Sequence, residues 1–327
     1  MSPYPLRFKP IFKQTIWGGR RLELKLNKSL GPEPDYAESW EIADHGDEQS
    51  IIENGALKGQ TLRQALLQEK SLIVGESYPS NAFPLLLKYL DCNRDLSVQV
   101  HPDDHYAKKM QPPDLGKTES WYIVESDPES LVYAGLKSGV TEKDLREAVA
   151  AGQTEKALHS FHPTAGDILF IPAGTVHALG AGLLVAEIQQ SSNTTFRLFD
   201  WNRVDRDGKA RPLHVEQSLD VTDFHRGPIV AKRAQPNLLG WQAMVHCDKF
   251  TLQVLNSGSG PVGGDNRFHI LTVPKGTAIL QTEDENYSLS TGQSILLPAG
   301  ISNCTVVTGS DSVVLEMHEP ANQNLAD

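Results

Sequence analysis

The sequence predicts a mainly β fold, its strands those of a sandwich or barrel, with a small helical accessory region. Three observations carry this. The apolar runs are short and rich in leucine and β-branched residues, 26 glycines and 20 prolines punctuate them, and only two segments show helical spacing. In chain order, Leu62–Leu67 has apolar residues at helical spacing behind Thr61, a suitable cap. Leu85–Leu90 and Leu96–Val100 read as strands. Thr141–Leu158 opens with Thr-Glu-Lys-Asp, a capping-box pattern, and continues through Leu145, Ala148, Val149 and Leu158 as a helix. Strands follow at Ile168–Ile171, Leu183–Ile188, Phe250–Leu255, Ile270–Val273, Ser294–Leu297 and Ser312–Met317.

The length of 327 residues allows two domains or one large β-rich unit. With 41 acidic and 30 basic side chains the formal charge is −11, which opposes non-specific binding to nucleic acid or anionic lipid. Residues Met1–Lys13 lack the apolar stretch of a secretory signal, and no window approaches the ~18 apolar residues of a membrane helix. Cys92, Cys247 and Cys304 have neither metal-finger spacing nor a disulfide framework, so buried thiols in a reducing cytoplasm are expected.

Gly166-Asp-Ile-Leu-Phe-Ile-Pro172-Ala-Gly174-Thr-Val-His177 lies over Gly292-Gln-Ser-Ile-Leu-Leu-Pro298-Ala-Gly300-Ile-Ser-Asn303 with glycine, proline, alanine and glycine in register. Each copy reads as a turn, a buried strand and a Pro-x-Gly turn. The pattern resembles the second signature of the cupins, double-stranded β-helix barrels that hold a metal on inward histidines and a carboxylate. The resemblance implies two tandem barrels. Residues 1–225 would form the catalytic one, with the helical accessory near 141–160. Residues 226–327 would form a second, degenerate one, its metal histidine replaced by Asn303, and Asp220–Asn237 would connect them.

Upstream, in Ser97-Val-Gln-Val-His-Pro102, period-two alternation places Gln99 and His101 on one strand face. Lys117, Glu119 and Trp121 share a face in the same way. With His177 these supply two imidazoles, a carboxylate and an amide oxygen, a mixed set suited to zinc and also to iron, manganese or cobalt. Other readings stay open: His101 before Pro102 as a turn residue, and Glu119 paired with Lys117. Buried imidazoles and carboxylates are costly unless paired or metal-bound, and this favours the metal. His105 and His162 lie in loop-like sequence and read as solvated. Glu187 and Gln189 alternate with apolar neighbours, as on a strand lining a cavity. Arg197, between Phe196 and Leu198, is either paired with Asp200 or Glu187 or takes part in chemistry.

Five motifs then occur in order: Gln99-Val-His101-Pro; Gly116-Lys117-Thr-Glu119-Ser-Trp121-Tyr122; Pro172-Ala-Gly174-Thr-Val-His177-Ala-Leu-Gly; Glu187-Ile-Gln-Gln-Ser-Ser-Asn-Thr-Thr-Phe-Arg197; and Asp207-Gly-Lys-Ala-Arg211-Pro-Leu-His214. Together they resemble the type I mannose-6-phosphate isomerases, in particular the shorter bacterial form. The resemblance implies one zinc ion on Gln99, His101, Glu119 and His177, and Arg197 as the active-site arginine. Phe196 stands where that family often has tyrosine. The implied reaction interconverts mannose 6-phosphate and fructose 6-phosphate through an enediol(ate). Lys117 leads as the base, with phosphate or hydroxyl binding as its other reading, and Glu187 competes for the role. Arg203, Lys209 and Arg211 are candidates for the phosphate, or else a solvated basic loop. The expected partner is a sugar phosphate, with no nucleic acid and no membrane, and the chain a monomer or weak homo-oligomer. The rival readings are a metal-dependent cupin oxygenase, a non-catalytic sugar-binding cupin and an isomerase of neutral sugars.

Overall fold

The computed structural model describes residues 2–76, 78–204, 208–236 and 238–320. Asp207 of the fifth motif, Asn237 of the connecting segment and the last seven residues lie outside them. Four larger sheets, all antiparallel, dominate the architecture. One has seven strands in the order Lys232–Arg233, Asp167–Ile171, Glu119–Ser126, Leu183–Gln190, Leu85–Cys92, Tyr36–Ile42 and Ile11–Gly19. A five-stranded sheet faces it, in the order Leu158–Phe161, Val132–Leu136, His177–Leu179, Val98–Val100 and Phe196–Phe199. Leu90, Trp121, Leu169 and Val185 of the first pack against Val132, Ala134 and Leu179 of the second.

The C-terminal part repeats this arrangement. Gln242–His246, Thr251–Leu255, Val313–His318, His269–Lys275 and Ser294–Leu297 form one sheet; Ser259–Val262, Cys304–Thr308, Thr277–Gln281 and Asn286–Ser290 form the other. Leu271, Ile295 and Val314 meet Ala278, Leu280 and Val306 between them. The internal repeat has a structural basis. Gly166 and Gly292 both adopt left-handed backbone, at φ +92° and +83°, a conformation nearly free for glycine. Each leads into a strand whose last residue, Ile171 or Leu297, lies opposite Glu119 or His269. The copies part at the following turn, where Gly174 is at φ +84° and Gly300 is not left-handed.

The two parts share one core. Phe83, Leu85 and Leu87 pack with Phe250, Phe268 and Ile270, and the Phe83 and Phe268 rings lie 4.6 Å apart. Leu6 and Leu296 exchange backbone hydrogen bonds of 2.8 and 2.9 Å. The Tyr89 hydroxyl lies 2.6 Å from Thr272 Oγ1. The expected strands all form, most within two residues of the anticipated bounds.

The helices are short. Leu62–Val74 begins with the reciprocal Thr61–Gln64 capping box and buries Leu62, Ala65, Leu66, Ile73 and Val74. The helix expected over 141–158 occupies Glu142–Ala150, behind a Thr141–Asp144 capping box. Gly152 at φ +65° turns the chain, a 3-10 turn spans Thr154–Ala157, and Leu158 starts a strand paired with Val132–Leu136. Sheet pairing claims Leu158 in place of a final helical turn.

Candidate metal centre

Alternation along short strands delivers the donors. Val98 and Val100 are fully buried in a cluster outside the sheet pair, so Gln99 turns the other way. The ladder places Arg197, Gln99, His177 and Ala134 in one row across the five-stranded sheet. From the facing sheet, Ile171, Glu119 and Gln189 form one row, and Leu169, Trp121, Glu187 and Lys88 the next. Strands distant in sequence thus aim polar side chains into the same interior.

His101, Glu119 and His177 are essentially inaccessible to solvent, and one ligand-capable atom from each lies within 4.8 Å of the others. Glu119 Oε2 is 3.5 Å from His101 Nε2, and Glu119 Oε1 is 3.3 Å from His177 Nε2. The Gln99 amide is 3.3 Å from His177 Nε2. Each histidine uses Nδ1 elsewhere: His101 toward the Thr194 carbonyl and His177 toward that of Thr175, both at 2.9 Å. Carbonyl oxygens only accept, so both Nδ1 atoms carry the proton and both Nε2 atoms present lone pairs. Two nitrogen lone pairs therefore face a carboxylate whose Oε1 has no hydrogen-bond partner.

Such a meeting of electron pairs in a dry interior needs positive charge between them. The donor set fits a divalent cation of the zinc, iron, manganese or cobalt kind. Lys117 supplies some of that charge, its ammonium donating to His101 Nε2 at 2.9 Å and Glu119 Oε2 at 2.6 Å. Burial, then Lys117, pushes the His177 imidazole down to about 4 and holds His101 well below its ordinary value. Both rings are thus kept in the neutral, ligating form. Burial, then Glu187, pushes the Glu119 carboxyl up to about 7.

Glu187 stands beside this group. It accepts from Trp121 Nε1 at 2.9 Å and pairs with Lys88 at 2.9 Å, with Lys117 at 3.9 Å. Burial alone would raise its pKa; Lys88 and then Lys117 hold it below the usual carboxylate range. Lys88, itself buried, also reaches Glu38 at 3.4 Å. Sequence reading missed Lys88 and Glu38. The available signal was a lysine inside the apolar run Leu85–Cys92, a place no unpaired ammonium occupies.

Arg197 is half-buried. Its Nη1 donates to the Pro212 carbonyl at 3.0 Å, while its buried Nε has no partner. Neither Asp200 nor Glu187 takes it as an ion pair among the described residues. Asp200 is instead clasped by Arg203 at 2.5 Å and Arg211 at 2.6 Å, so these two loop cations are already engaged. Phe196 is buried with its ring edge-on to Tyr106 at 5.7 Å, a packing role that uses no hydroxyl. His105 and His162 are exposed, as expected.

Comparison with known proteins gives a consistent result. The family described as "Phosphomannose isomerase type I, catalytic domain" matches residues 6–156, and "Mannose-6-phosphate isomerase, cupin domain" matches 242–315. The chain is 35% identical over 307 residues to mannose-6-phosphate isomerase ManA of Bacillus subtilis, covering 92% of this chain and 95% of that one. It is likewise 35% identical to mannose-6-phosphate isomerase of Streptococcus mutans, covering 90% and 94%. Among solved structures, that of mannose 6-phosphate isomerase from Bacillus subtilis is similar at a TM-score of 0.84 and 30% identity, over 96% of this chain and 99% of that one.

Proposed function

The chain belongs to the type I phosphomannose isomerases, and we propose that it interconverts mannose 6-phosphate and fructose 6-phosphate at the Gln99–His101–Glu119–His177 group. These four residues would hold one zinc ion. Bound there, zinc supplies Lewis-acid polarisation of the substrate's carbonyl or hydroxyl oxygen and helps orient the open-chain sugar. The observation that carries the reading is the convergence of two Nε2 atoms on the buried Glu119 carboxylate, whose Oε1 has no hydrogen-bond partner.

The isomerisation moves a proton between the first and second carbons. Lys117 is the group proposed to carry it: its amino nitrogen lies against His101 and Glu119. Glu187, committed to Trp121 and Lys88, is proposed to position Lys117 and to balance its charge. Arg197, one ladder position from Gln99, is assigned the negative charge that develops on the substrate oxygen as the proton leaves. A permanent, planar cation with a spare buried donor suits that work.

The two sheet pairs are proposed to be the two barrels, divided near residue 225. One short strand, Lys232–Arg233, crosses that division to edge the first sheet. None of the described helices is long and apolar enough to cross a membrane. With Cys92, Cys247 and Cys304 all free, a reducing cytoplasm is the proposed compartment. The test is a coupled assay of the purified protein with mannose 6-phosphate and with free mannose, before chelation, after it, and after zinc is restored. Turnover of the phosphorylated sugar that vanishes and returns supports the reading. Unchanged turnover after complete metal removal overturns it, and equal turnover of both sugars replaces it with a neutral-sugar isomerase.

A further inference from the structure

The C-terminal sheet pair contains a second buried group of two imidazoles and a carboxylate: His269, Glu316 and His318. Pairing register relates it to the first centre. Ile171 lies opposite Glu119, which lies opposite Gln189; in the second copy Leu297 lies opposite His269, which lies opposite His318. One row on, Trp121 pairs with Glu187 and Glu187 with Lys88, while Leu271 pairs with Glu316 and Glu316 with Gln253. His269, His318, Glu316 and Gln253 therefore stand where the first copy has Glu119, Gln189, Glu187 and Lys88. Asn303 ended the donor set on one wall of the second copy; the opposite wall has gained another.

We propose that His269, Glu316 and His318 bind a second divalent transition-metal ion, of the zinc or cobalt class, independent of the first. Glu316 Oε1 is 2.7 Å from Nδ1 of both His269 and His318, and the two rings lie 5.1 Å apart at 49°. The first pair, His101 and His177, lies 4.9 Å apart at the same 49°. Ligand atoms around a four-coordinate zinc with bonds of ~2.0–2.1 Å sit roughly 3.3 Å apart, so a small outward movement opens this group to an ion.

The surrounding bonds are those that fix ligands. His269 directs Nε2 to Asp265 Oδ1 at 2.9 Å, leaving Nδ1 for the shared centre, and Arg267 in turn holds Asp265 at 2.5 Å. Gln253 donates to Glu316 Oε2 at 3.0 Å, which leaves Oε1 for the same centre. An imidazole backed by a carboxylate and a carboxylate backed by an amide are characteristic outer partners of metal ligands.

The test titrates chelator-stripped full-length protein with zinc, counting equivalents, and with cobalt, following its visible absorption. Wild type takes up two equivalents per chain. Glu316→Gln and His318→Gln each take up one and keep isomerase turnover. His177→Asn also takes up one, without turnover, and its cobalt absorption disappears in His177→Asn/Glu316→Gln. A wild-type chain that saturates at one equivalent, its buried His269 holding a proton where the ion was proposed, overturns the inference. So does a second equivalent that survives Glu316→Gln. Where Glu316→Gln fails to melt cooperatively, the wild-type count and His318→Gln decide.

Discussion

Replacing Lys88 with methionine keeps the volume of the side chain and removes its charge from between two carboxylates. Lys88 Nζ lies 2.9 Å from Glu187 and 3.4 Å from Glu38, in a buried position. At an effective dielectric of ~20 these separations correspond to gross attractions of about 6 and about 5 kcal/mol. Desolvation of the ions offsets much of that, and breaking a buried pair by removing one partner leaves a net loss of about 3–5 kcal/mol. Urea denaturation of Lys88→Met should register that loss in its midpoint. Glu187, deprived of its foremost cation, then rises in pKa, so the acid limb of the kcat profile moves to higher pH. The double variant Lys88→Met/Glu187→Gln should recover roughly 1–3 kcal/mol relative to additivity. A Lys88→Met loss under ~1 kcal/mol, together with an additive double variant, refutes the assignment of Lys88 as the counter-ion of Glu187.

Trp121→Phe removes one charge-assisted hydrogen bond to Glu187 and should cost about 2 kcal/mol while lowering kcat; metal analysis of the variant should still find the first-site ion. Tyr89→Phe breaks the bond to Thr272 across the shared core and should lower stability by about 1 kcal/mol, in a calorimetric melt that stays a single transition. Burial pushes the Asp91 carboxyl up to about 6, so the folded state holds that proton more tightly than the unfolded one. Wild type therefore loses stability relative to Asp91→Asn as pH rises from about 4 through 6, with no further change above. Thermal midpoints of the pair at pH 4, 5, 6 and 7.5 check this, and a constant difference contradicts it.

Much of the fold was legible because its signals are local. Short apolar runs bounded by glycine and proline located the strands, and Thr61 and Thr141 marked the starts of two helices through their capping boxes. The end of the second helix was not legible. Leu158 fits a helical spacing and a strand equally well, and its pairing with Leu136 is a tertiary fact. At the candidate site, Gln99, Glu119 and Glu187 were singled out by alternation within single strands, and Lys117 by carrying that alternation two residues ahead of Glu119–Ser126. Their charged neighbours were not, because Lys88 meets Glu187, and Glu38 meets Lys88, only through pairing between strands about 50 to 100 residues apart. Arg203 and Arg211 show the same limit: three charges in one loop looked ready for an anion, and the fold gave two of them Asp200. The repeat likewise directed attention to Asn303, while His269 and Glu316 became neighbours only by cross-strand pairing.

Anomalous diffraction at the zinc edge, from crystals of catalytically active zinc-loaded protein, tests the central assignment most directly. A peak within ligand distance of His101 Nε2, His177 Nε2, the Glu119 carboxylate and the Gln99 amide oxygen is the expected result. Active crystals with no anomalous density among those four side chains contradict it.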